Sequence, residues 1–540
     1  MDRARGFQAS LAWLVLLGTG AAALFATGCS LSESEGVGTA QPARTTVKMD
    51  FFHKPLPEIP LPNDVATVVD FTSPTGRRIN ASMVAPTGFE RLTREKIDEL
   101  DGWGVFQPIT IPFTGPLDVQ SILDGHRDPF YETENDVVYL IDIDRRSPEF
   151  GKLHYLDVGN GNYPVVLERR DNYWDNDPRA GTISILFEEV DEDVNGNGQL
   201  DPGEDTDADG VLDRPNYLPG AHPPADDLKA RADAFMSFYE RETNTLILRP
   251  LVPLRERTTY AVVITRRLKD ANGEPVGSPY PTIHHTAQTE ALRPLAEVLP
   301  HGLTLRDVAF AFTFTTQSVE SHWRAVREGL YGYGPQRHLA HEFPAKVEAL
   351  LPLRDAARFP DSKRLYLLYG ENWLQAARPL ATTFLGLNPN SEEYRQLATS
   401  LEYVDYFVIG TYRSPQLFPR TDDAGNFLPL NLQAWPPDLD RIPAPARSEL
   451  VYFTLAVPRK EVSARKDGRP VPVAILSHGY TGNRFPIMQF AGFFARHGLA
   501  TIAIDGPSHG IGLTPEQEAL AKQLLGTMGY GAAVDATLSD

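Results

Sequence analysis

The sequence predicts a multidomain chain: an immunoglobulin-like β-sandwich, a helical connector, and then the opening of a parallel α/β sheet. Three observations lead there. Between residues 56 and 318, short apolar runs alternate with a period of two and are separated by turn residues. From residue 319 the spacing becomes helical. Near the C-terminus the apolar run Val471-Pro-Val-Ala-Ile-Leu476 empties into a short turn with two glycines, and a helix pattern and a second apolar run follow. With 540 residues and 42% hydrophobic content the chain can bury several cores, and its 45 prolines favour β-rich modules with many turns.

At the N-terminus, Arg3 and Arg5 precede an apolar segment from Leu11 to Ala26. Its length suits a signal peptide and falls short of the ~20 residues that cross a bilayer. The small residues of Ala26-Thr27-Gly28 ahead of Cys29 resemble a bacterial lipobox, which implies that Cys29 is lipidated and becomes the mature N-terminus. The alternative is an ordinary cleaved signal with an incidental cysteine. Residues 1–28 are therefore expected to be a lipoprotein signal peptide and 29–55 a polar tether, with Gly, Ser and Pro scattered from Ser30 to Lys48. The expected location is the cell envelope, lipid-anchored at the outer membrane or cell surface, with the membrane as partner. Cys29 is the only cysteine, so no intrachain disulfide can form. A net charge of −20 excludes nucleic acid as a partner, since phosphate binding needs clustered Lys and Arg.

The β domain is expected over 56–318. Val137 to Ile143 is one strand candidate. Thr259 to Arg266 alternates through Tyr260, Val262 and Ile264 and leads to an Asn272-Gly273 turn. Asp307 to Thr315 puts Val308, Phe310, Phe312 and Phe314 on one face and small residues on the other, which predicts a half-buried antiparallel strand.

An insertion at 191–216 interrupts this domain. Glu188 to Asp213 holds eleven carboxylates and no Lys or Arg. Asp193, Asn195, Asn197, Gly198, Gln199, Asp201 and Glu204 occupy positions 1, 3, 5, 6, 7, 9 and 12 of a calcium loop. That chemistry needs hard oxygens around a hard cation, a glycine for the sharp turn and a closing carboxylate; Gln199 would offer its backbone carbonyl. Asp205, Asp207, Asp209, Gly210, Val211 and Asp213 repeat the pattern, with Asn216 at the twelfth position in place of glutamate, which predicts a weaker second site. The loops abut without intervening helices and resemble tandem thrombospondin-type or dockerin-type repeats. Structural calcium is the expected cofactor; the alternative is a solvated acidic loop.

The connector is expected over 319–446. Val319, Trp323, Val326 and Leu330 share a helical face, and Tyr394, Leu397, Ala398 and Leu401 repeat that spacing behind a Ser391 cap. Phe343-Pro344 reads as the opening of another helix. A partial α/β-hydrolase domain is expected over 447–540. The stretch from Ser477 to Leu499 suits a right-handed βαβ crossover, with a helix face of Ile487, Phe490, Phe493 and Phe494 and Gly498 as its C-cap. In such a hydrolase the turn His478-Gly479-Tyr480 lies where backbone N–H groups hold the oxyanion of a tetrahedral intermediate, with the Tyr480 N–H as one donor.

Several segments together resemble the N-terminal domain of the bacterial virulence-factor lipases, surface lipoproteins that join an immunoglobulin-like module to an α/β-hydrolase. They are Pro60-Leu-Pro-Asn-Asp64, Leu100-Asp-Gly-Trp103, Pro108 to Asp118, Leu246 to Leu251, Thr259 to Thr265 and Phe312 to Ser318. His478-Gly479 and Asp505-Gly-Pro-Ser-His-Gly510 resemble that family's hydrolase half. The resemblance implies cleavage of carboxylic esters, including lysophospholipids, without a metal in the catalytic step.

Gly506-Pro507-Ser508-His509-Gly510 fits G-x-S-x-G formally, but the next helix signal, Thr514-Pro515-Glu516, comes too late for a nucleophile elbow. No histidine follows His509, so the order Ser…Asp…His cannot be completed, and Ser508 is expected to be a loop serine. The 58 residues after Gly482 are too few for the rest of a hydrolase domain. The chain is therefore expected to stop before its nucleophile and to be inactive as given. The rival function is a non-enzymatic, calcium-binding surface or adhesion lipoprotein. His338-Leu-Ala-His341-Glu342 and His284-His285 read as packing or surface histidines rather than metal ligands.

Overall fold

The computed structural model describes residues 36–540 except 55, 86, 128–131, 159–190, 207, 209, 225, 361, 371, 373–387, 423, 430–431, 437, 480–481, 485, 507–508, 511 and 539–540. The expected signal peptide, Cys29 and the first residues after it lie outside the described residues. The chain divides after Glu320 into two compact units. Among the described residues they carry several β-sheets and a dozen helices, a mixed α/β architecture.

Among its described residues unit 1 has the strands β1 (Thr67–Val69), β2 (Arg77–Ile79), β3 (Ile109–Pro112), β4 (Val138–Asp142), β5 (Leu153–His154), β6 (Leu156–Asp157), β7 (Tyr239–Glu240), β8 (Thr245–Pro250), β9 (Thr259–Thr265) and β10 (Val308–Thr315). Its main helices are α1 (Gly88–Ile97), α2 (Val119–His126) and α3 (Leu228–Ala234). One antiparallel sheet has the order β10-β9-β4-β5; a second has β3-β8-β6 with β7 also paired to β8; β1 and β2 form a separate pair. The two larger sheets share one core, in which Ile109, Ile111, Leu246 and Leu248 meet Val138, Leu140, Val262, Ile264, Phe310 and Phe312. All three strands expected from alternation are present.

β10 departs from the expected half-buried strand, because all eight of its residues are buried. Its phenylalanines fill the inter-sheet core, but Val308, read as sharing their face, joins Ala311 in a second cluster with Tyr139, Ile141, Ile283, Leu292 and Leu295, because the pairing register shifts between Val308 and Phe310. The segment around residues 283–305 covers the face that alternation assigned to solvent. The tether also ends earlier than expected. Thr39 bridges Thr282, Thr46 bridges Gly277 and Val47 bridges Phe113. Val47 is fully buried, so from residue 36 onward this stretch is part of the β unit.

Three of the segments that carry the family resemblance converge at the end of β10. Asp64 accepts from the Thr315 amide (2.9 Å) and hydroxyl (2.8 Å). Gln288 donates to both Asn63 Oδ1 and the Thr313 carbonyl, each at 3.0 Å. Asp101 accepts from the Ser318 amide (2.9 Å) and hydroxyl (2.6 Å). Gly102 lies so close that a Cβ would fall 2.7 Å from the Thr315 carbonyl. These polar ties, buried at Asp64, Asn63, Gln288 and Thr315 and partly buried at Asp101 and Ser318, fix where the strand leaves the unit.

Unit 2 contains β11 (Val347–Leu350), β12 (Leu368–Tyr369), β13 (Val404–Gln416), β14 (Arg447–Pro458), β15 (Val473–Leu476) and β16 (Ala500–Ile504). Its main helices are α4 (Ser321–Leu330), α5 (Glu392–Leu401), α6 (Ile487–Arg496), α7 (Pro515–Gly526) and α8 (Gly531–Leu538). The sheet order is β11-β13-β14-β16-β15, with β12 beside β13. Every pair is antiparallel except β15 and β16. Residues 319–446 are therefore not a separate connector: β11, β12 and β13 belong to the same sheet as the 447–540 segment. Phe343-Pro344 opens no helix; a short helix ends at Glu342 and β11 starts three residues after Pro344.

α5 and α6 form where their spacing predicts, but Phe490 and Phe493, read as part of the apolar face of α6, are 51% and 60% exposed. Ser391 Oγ accepts from the Tyr394 amide (3.2 Å), and Gly498 turns the chain after α6 with φ +77°. α6 buries Ile487, Ala491 and Ala495. Gly492 brings α6 against α5, where a Cβ would lie 2.4 Å from the Ser400 carbonyl carbon. β15 was expected to be a buried run, yet Val473 and Ile475 are 53% and 76% exposed. Among the described residues β15 pairs only with β16, so it stands at the sheet edge.

Candidate functional site

The candidate site lies at the carboxyl ends of the two parallel strands. Their register, Val473 with Ala500 through Leu476 with Ala503, brings both strand exits out side by side. In open α/β sheets this is the edge where loops can build a ligand crevice. The chain leaves β15 through Ser477-His478-Gly479 and leaves β16 through Asp505-Gly506.

His478 ties the two exits together. Its Nε2 accepts from the Gly506 amide at 2.9 Å, and its Nδ1 lies 2.9 Å from the Gly479 carbonyl. An amide can only donate and a carbonyl can only accept, so this arrangement fits the tautomer with its hydrogen on Nδ1. Both nitrogens are engaged, which makes His478 a positioning group rather than a free base. The His509 ring lies 4.9 Å away, centroid to centroid. The turn closes with the Gly482 amide donating to the Gly479 carbonyl (3.0 Å). A Cβ on Gly482 would come within 2.9 Å of that carbonyl oxygen.

Arg484 and Asp505 form the second tie, which residue spacing gave no reason to expect. The Arg484 amide donates to Asp505 Oδ1 at 2.5 Å, and the guanidinium pairs with Oδ2. The same guanidinium donates to the Thr537 carbonyl (2.6 Å) near the end of α8, where a helix presents partial negative charge. It also lies 5.8 Å from the Tyr452 ring. The pair is almost wholly buried, with side-chain exposures of 2% and 9%. It locks the turn after β15 onto the loop after β16.

Of the expected oxyanion residues, His478 and Gly479 stand at this strand exit, and Tyr480 lies outside the described residues. Ser508 also lies outside them. The next helix after it, α7, begins only at Pro515, with Thr514 and Gln517 forming a capping box.

The acidic insertion folds as a repeat. The Gly198 amide donates to Asp193 Oδ2 (3.0 Å), and the Gly210 amide donates to Asp205 Oδ2 (3.2 Å), the same bond from position 6 to position 1 of each loop. Gly198 and Gly210 have φ +74° and +79°, the left-handed conformation that the turn requires. In the first loop the Asn195 and Asn197 amides both donate to Asp201 Oδ2 (2.7 and 2.6 Å). Glu204 accepts from the Asp201 amide (2.9 Å), and Arg214 pairs with Asp193 (2.6 Å). The Gln199 amide donates to Asn197 Oδ1 (2.7 Å). In the second loop Asp205 Oδ1 and Asn216 Oδ1 are buried with no hydrogen-bond partner among the described residues, and Asn216 is 2% exposed. Asp207 and Asp209 lie outside the described residues; Val211 and Asp213 stand at their loop positions. No cluster of three or more His, Cys, Asp or Glu in a metal-holding arrangement occurs among the described residues.

Glu192, just ahead of the first loop, spans the insertion. It is fully buried and accepts from the Thr206 amide (2.5 Å), the Thr206 hydroxyl (2.8 Å) and the Asp213 amide (3.1 Å). Burial alone would raise its carboxyl, but these donors outweigh it and hold it below the ordinary value.

The histidine pairs set aside in the sequence are held by backbone. His284 accepts from the Val37 amide (2.9 Å) and lies 2.8 Å from the His285 carbonyl; His338 lies 3.0 Å from the Ala444 carbonyl. No helix among the described residues is long and apolar enough to cross a membrane. No family model, curated protein or solved structure matches the chain.

Proposed function

We propose that this chain carries the oxyanion half of a lipid-anchored carboxylic-ester hydrolase of the virulence-factor lipase type, behind an immunoglobulin-like β unit. The observation that carries the proposal is the sheet order β13-β14-β16-β15, in which β15 and β16 alone run parallel and the His478-Gly479 turn sits at their shared exit. In such a site an ester carbonyl would bind with its oxygen toward the Tyr480 N–H. His478 would hold the turn through Gly506, and Arg484–Asp505 would hold it through the loop after β16. No strand–G-x-S-x-G–helix element occurs among the described residues, and no serine of this chain is assigned as the nucleophile. Among the described residues β15 pairs only with β16, and Ile475 on it is 76% exposed.

The test uses protein expressed from the open reading frame read to its stop codon, assayed on short p-nitrophenyl esters. Turnover is expected. Tyr480→Pro, which deletes the amide donor, should lower kcat about 10²- to 10³-fold, while Ser508→Ala should leave it unchanged. Turnover that depends on Ser508 would overturn the assignment.

A second reading, a calcium-binding surface lipoprotein without enzymatic activity, is favoured by the buried oxygens of Asp205 and Asn216 that lack partners. Hard oxygens left unpaired at the first and twelfth loop positions fit a hard cation. The second loop would hold calcium through Asp205, Asp213, Asn216 and the Val211 carbonyl, with Asp207 and Asp209 from sequence position. The first loop would use Asp193, Asn195, Asn197, the Gln199 carbonyl, Asp201 and Glu204. Calcium here would compensate repulsion among carboxylates and play no part in ester chemistry. Calorimetry at millimolar calcium should show uptake, with affinity on the order of 10⁻⁴ to 10⁻³ M; no heat at that concentration would reject the site.

A further inference from the structure

The described chain begins so close to Cys29 that an acylated Cys29 would hold unit 1 against the bilayer. Gly36 and Gly38 already touch the fold: a Cβ on Gly36 would lie 2.2 Å from Thr282 Cγ2, and the Ala40 amide donates to the Pro281 carbonyl at 2.8 Å. The seven residue steps from Cys29 to Gly36 span at most about 25 Å when fully extended. A tether that short leaves only one side of the unit able to face the membrane, the side where residues 36–40 join it.

That side carries an exposed aromatic. Residues 282–285 run beside the entering chain, and His284 and His285 touch it at two points: His284 bonds the Val37 amide, and the His285 ring meets Phe51 edge-on at 5.7 Å. The next residue, Phe52, is 87% exposed, and Leu56 is 46% exposed. Lys54 between them is exposed and has no ion pair among the described residues. Nearby Glu58 is already paired with Lys48 (2.7 Å), which leaves its negative charge compensated. An exposed phenylalanine and leucine flanking a lysine suit a bilayer interface, where apolar groups enter the acyl boundary and a cation stays among the headgroups.

We propose that Phe52, Lys54 and Leu56 dock on the lipid surface beside the anchor, with Phe52 inserted. This rests on the lipid-anchored reading, and the experiment separates the two. The full chain is expressed with its signal peptide in wild-type form and as Cys29→Ala, and palmitate incorporation is compared. Phe52→Cys and Val194→Cys proteins are then labelled with a fluorophore and reconstituted in phosphatidylcholine vesicles containing brominated acyl chains. Val194 is 80% exposed within the acidic insertion of the same unit and serves as the reference. Both substituted side chains are exposed, so the core is untouched.

Palmitate on wild type but not on Cys29→Ala is expected, together with quenching at position 52 at least threefold above that at 194. Equal palmitate labelling refutes the anchor and the docking with it. Palmitate on Cys29 with equal quenching at the two positions keeps the anchor and overturns the docking.

Discussion

The most consequential single residue in unit 2 is Arg484, because one guanidinium joins the turn after β15, the loop after β16 and the end of α8. Removing one member of a buried ion pair leaves the other charge uncompensated, at a cost of about 3–5 kcal/mol. Arg484→Met and Asp505→Asn should each lower the stability of unit 2 by that order in denaturant unfolding; a change within ±0.5 kcal/mol would contradict the tie. Neither residue was legible as a partner in the sequence, since the two are 21 positions apart and meet only through the parallel crossover.

Glu192 makes a pH prediction. Its carboxyl is held below its ordinary 4.5, so it stabilises the fold above that pH, and the contribution is lost as pH falls through the folded value. Asp64 acts in the opposite sense: burial raises its carboxyl, so its ionisation disfavours the fold as pH rises through the ordinary 3.8. Protease cleavage within the 191–216 insertion should therefore rise as pH falls below 4.5, and Glu192→Gln should be cleaved readily even at neutral pH. Equal protection of the variant at neutral pH would contradict the clamp.

Among elements, β10 shows where pattern reading succeeds and where it stops. Alternation of Phe310, Phe312 and Phe314 located the strand and its inward face. The other face looked exposed because its residues are small, yet packing by Ile283, Leu292 and Leu295 buries it too. Small residues can mark close packing as well as solvent, and sequence alone does not separate the two. Phe312→Ala should cost about 3–5 kcal/mol as a cavity in the inter-sheet core, measured by chemical denaturation. The α5–α6 contact follows the same physics in reverse. Gly492 looks like an ordinary helix-interior glycine, but Ser400 backbone occupies the space of its Cβ. Gly492→Ala should therefore destabilise by about 1–3 kcal/mol through overpacking, against the gain that helix propensity alone would give; a stabilised variant would contradict the packing.

At the scale of the molecule, the βαβ unit of β15, α6 and β16 was legible because its two apolar runs and the intervening helix face are contiguous in the chain. The position of that unit in its sheet was not. β13 and β14 are separated from each other by 30 residues and supply most of the sheet, and nothing in the composition of 319–446 announces strands that pair so far away. The tether was misjudged for a related reason. Residues 36–48 are polar, but their backbone completes pairings with residues 113 and 277–282 that only the fold reveals. The acidic insertion was legible as a repeat, and the shared glycine-to-aspartate bond gives that repeat a structural counterpart.

The measurement that tests the central claim most directly is the nucleotide sequence past the Asp540 codon. The oxyanion role proposed for the turn at the exit of β15 requires a nucleophile strand beside it. The reading frame should continue into an apolar strand, a G-x-S-x-G turn and a helix, with an aspartate and then a histidine farther on. A stop codon at that point, or a continuation without such an elbow, would contradict the hydrolase assignment and leave the calcium-binding surface protein as the better account.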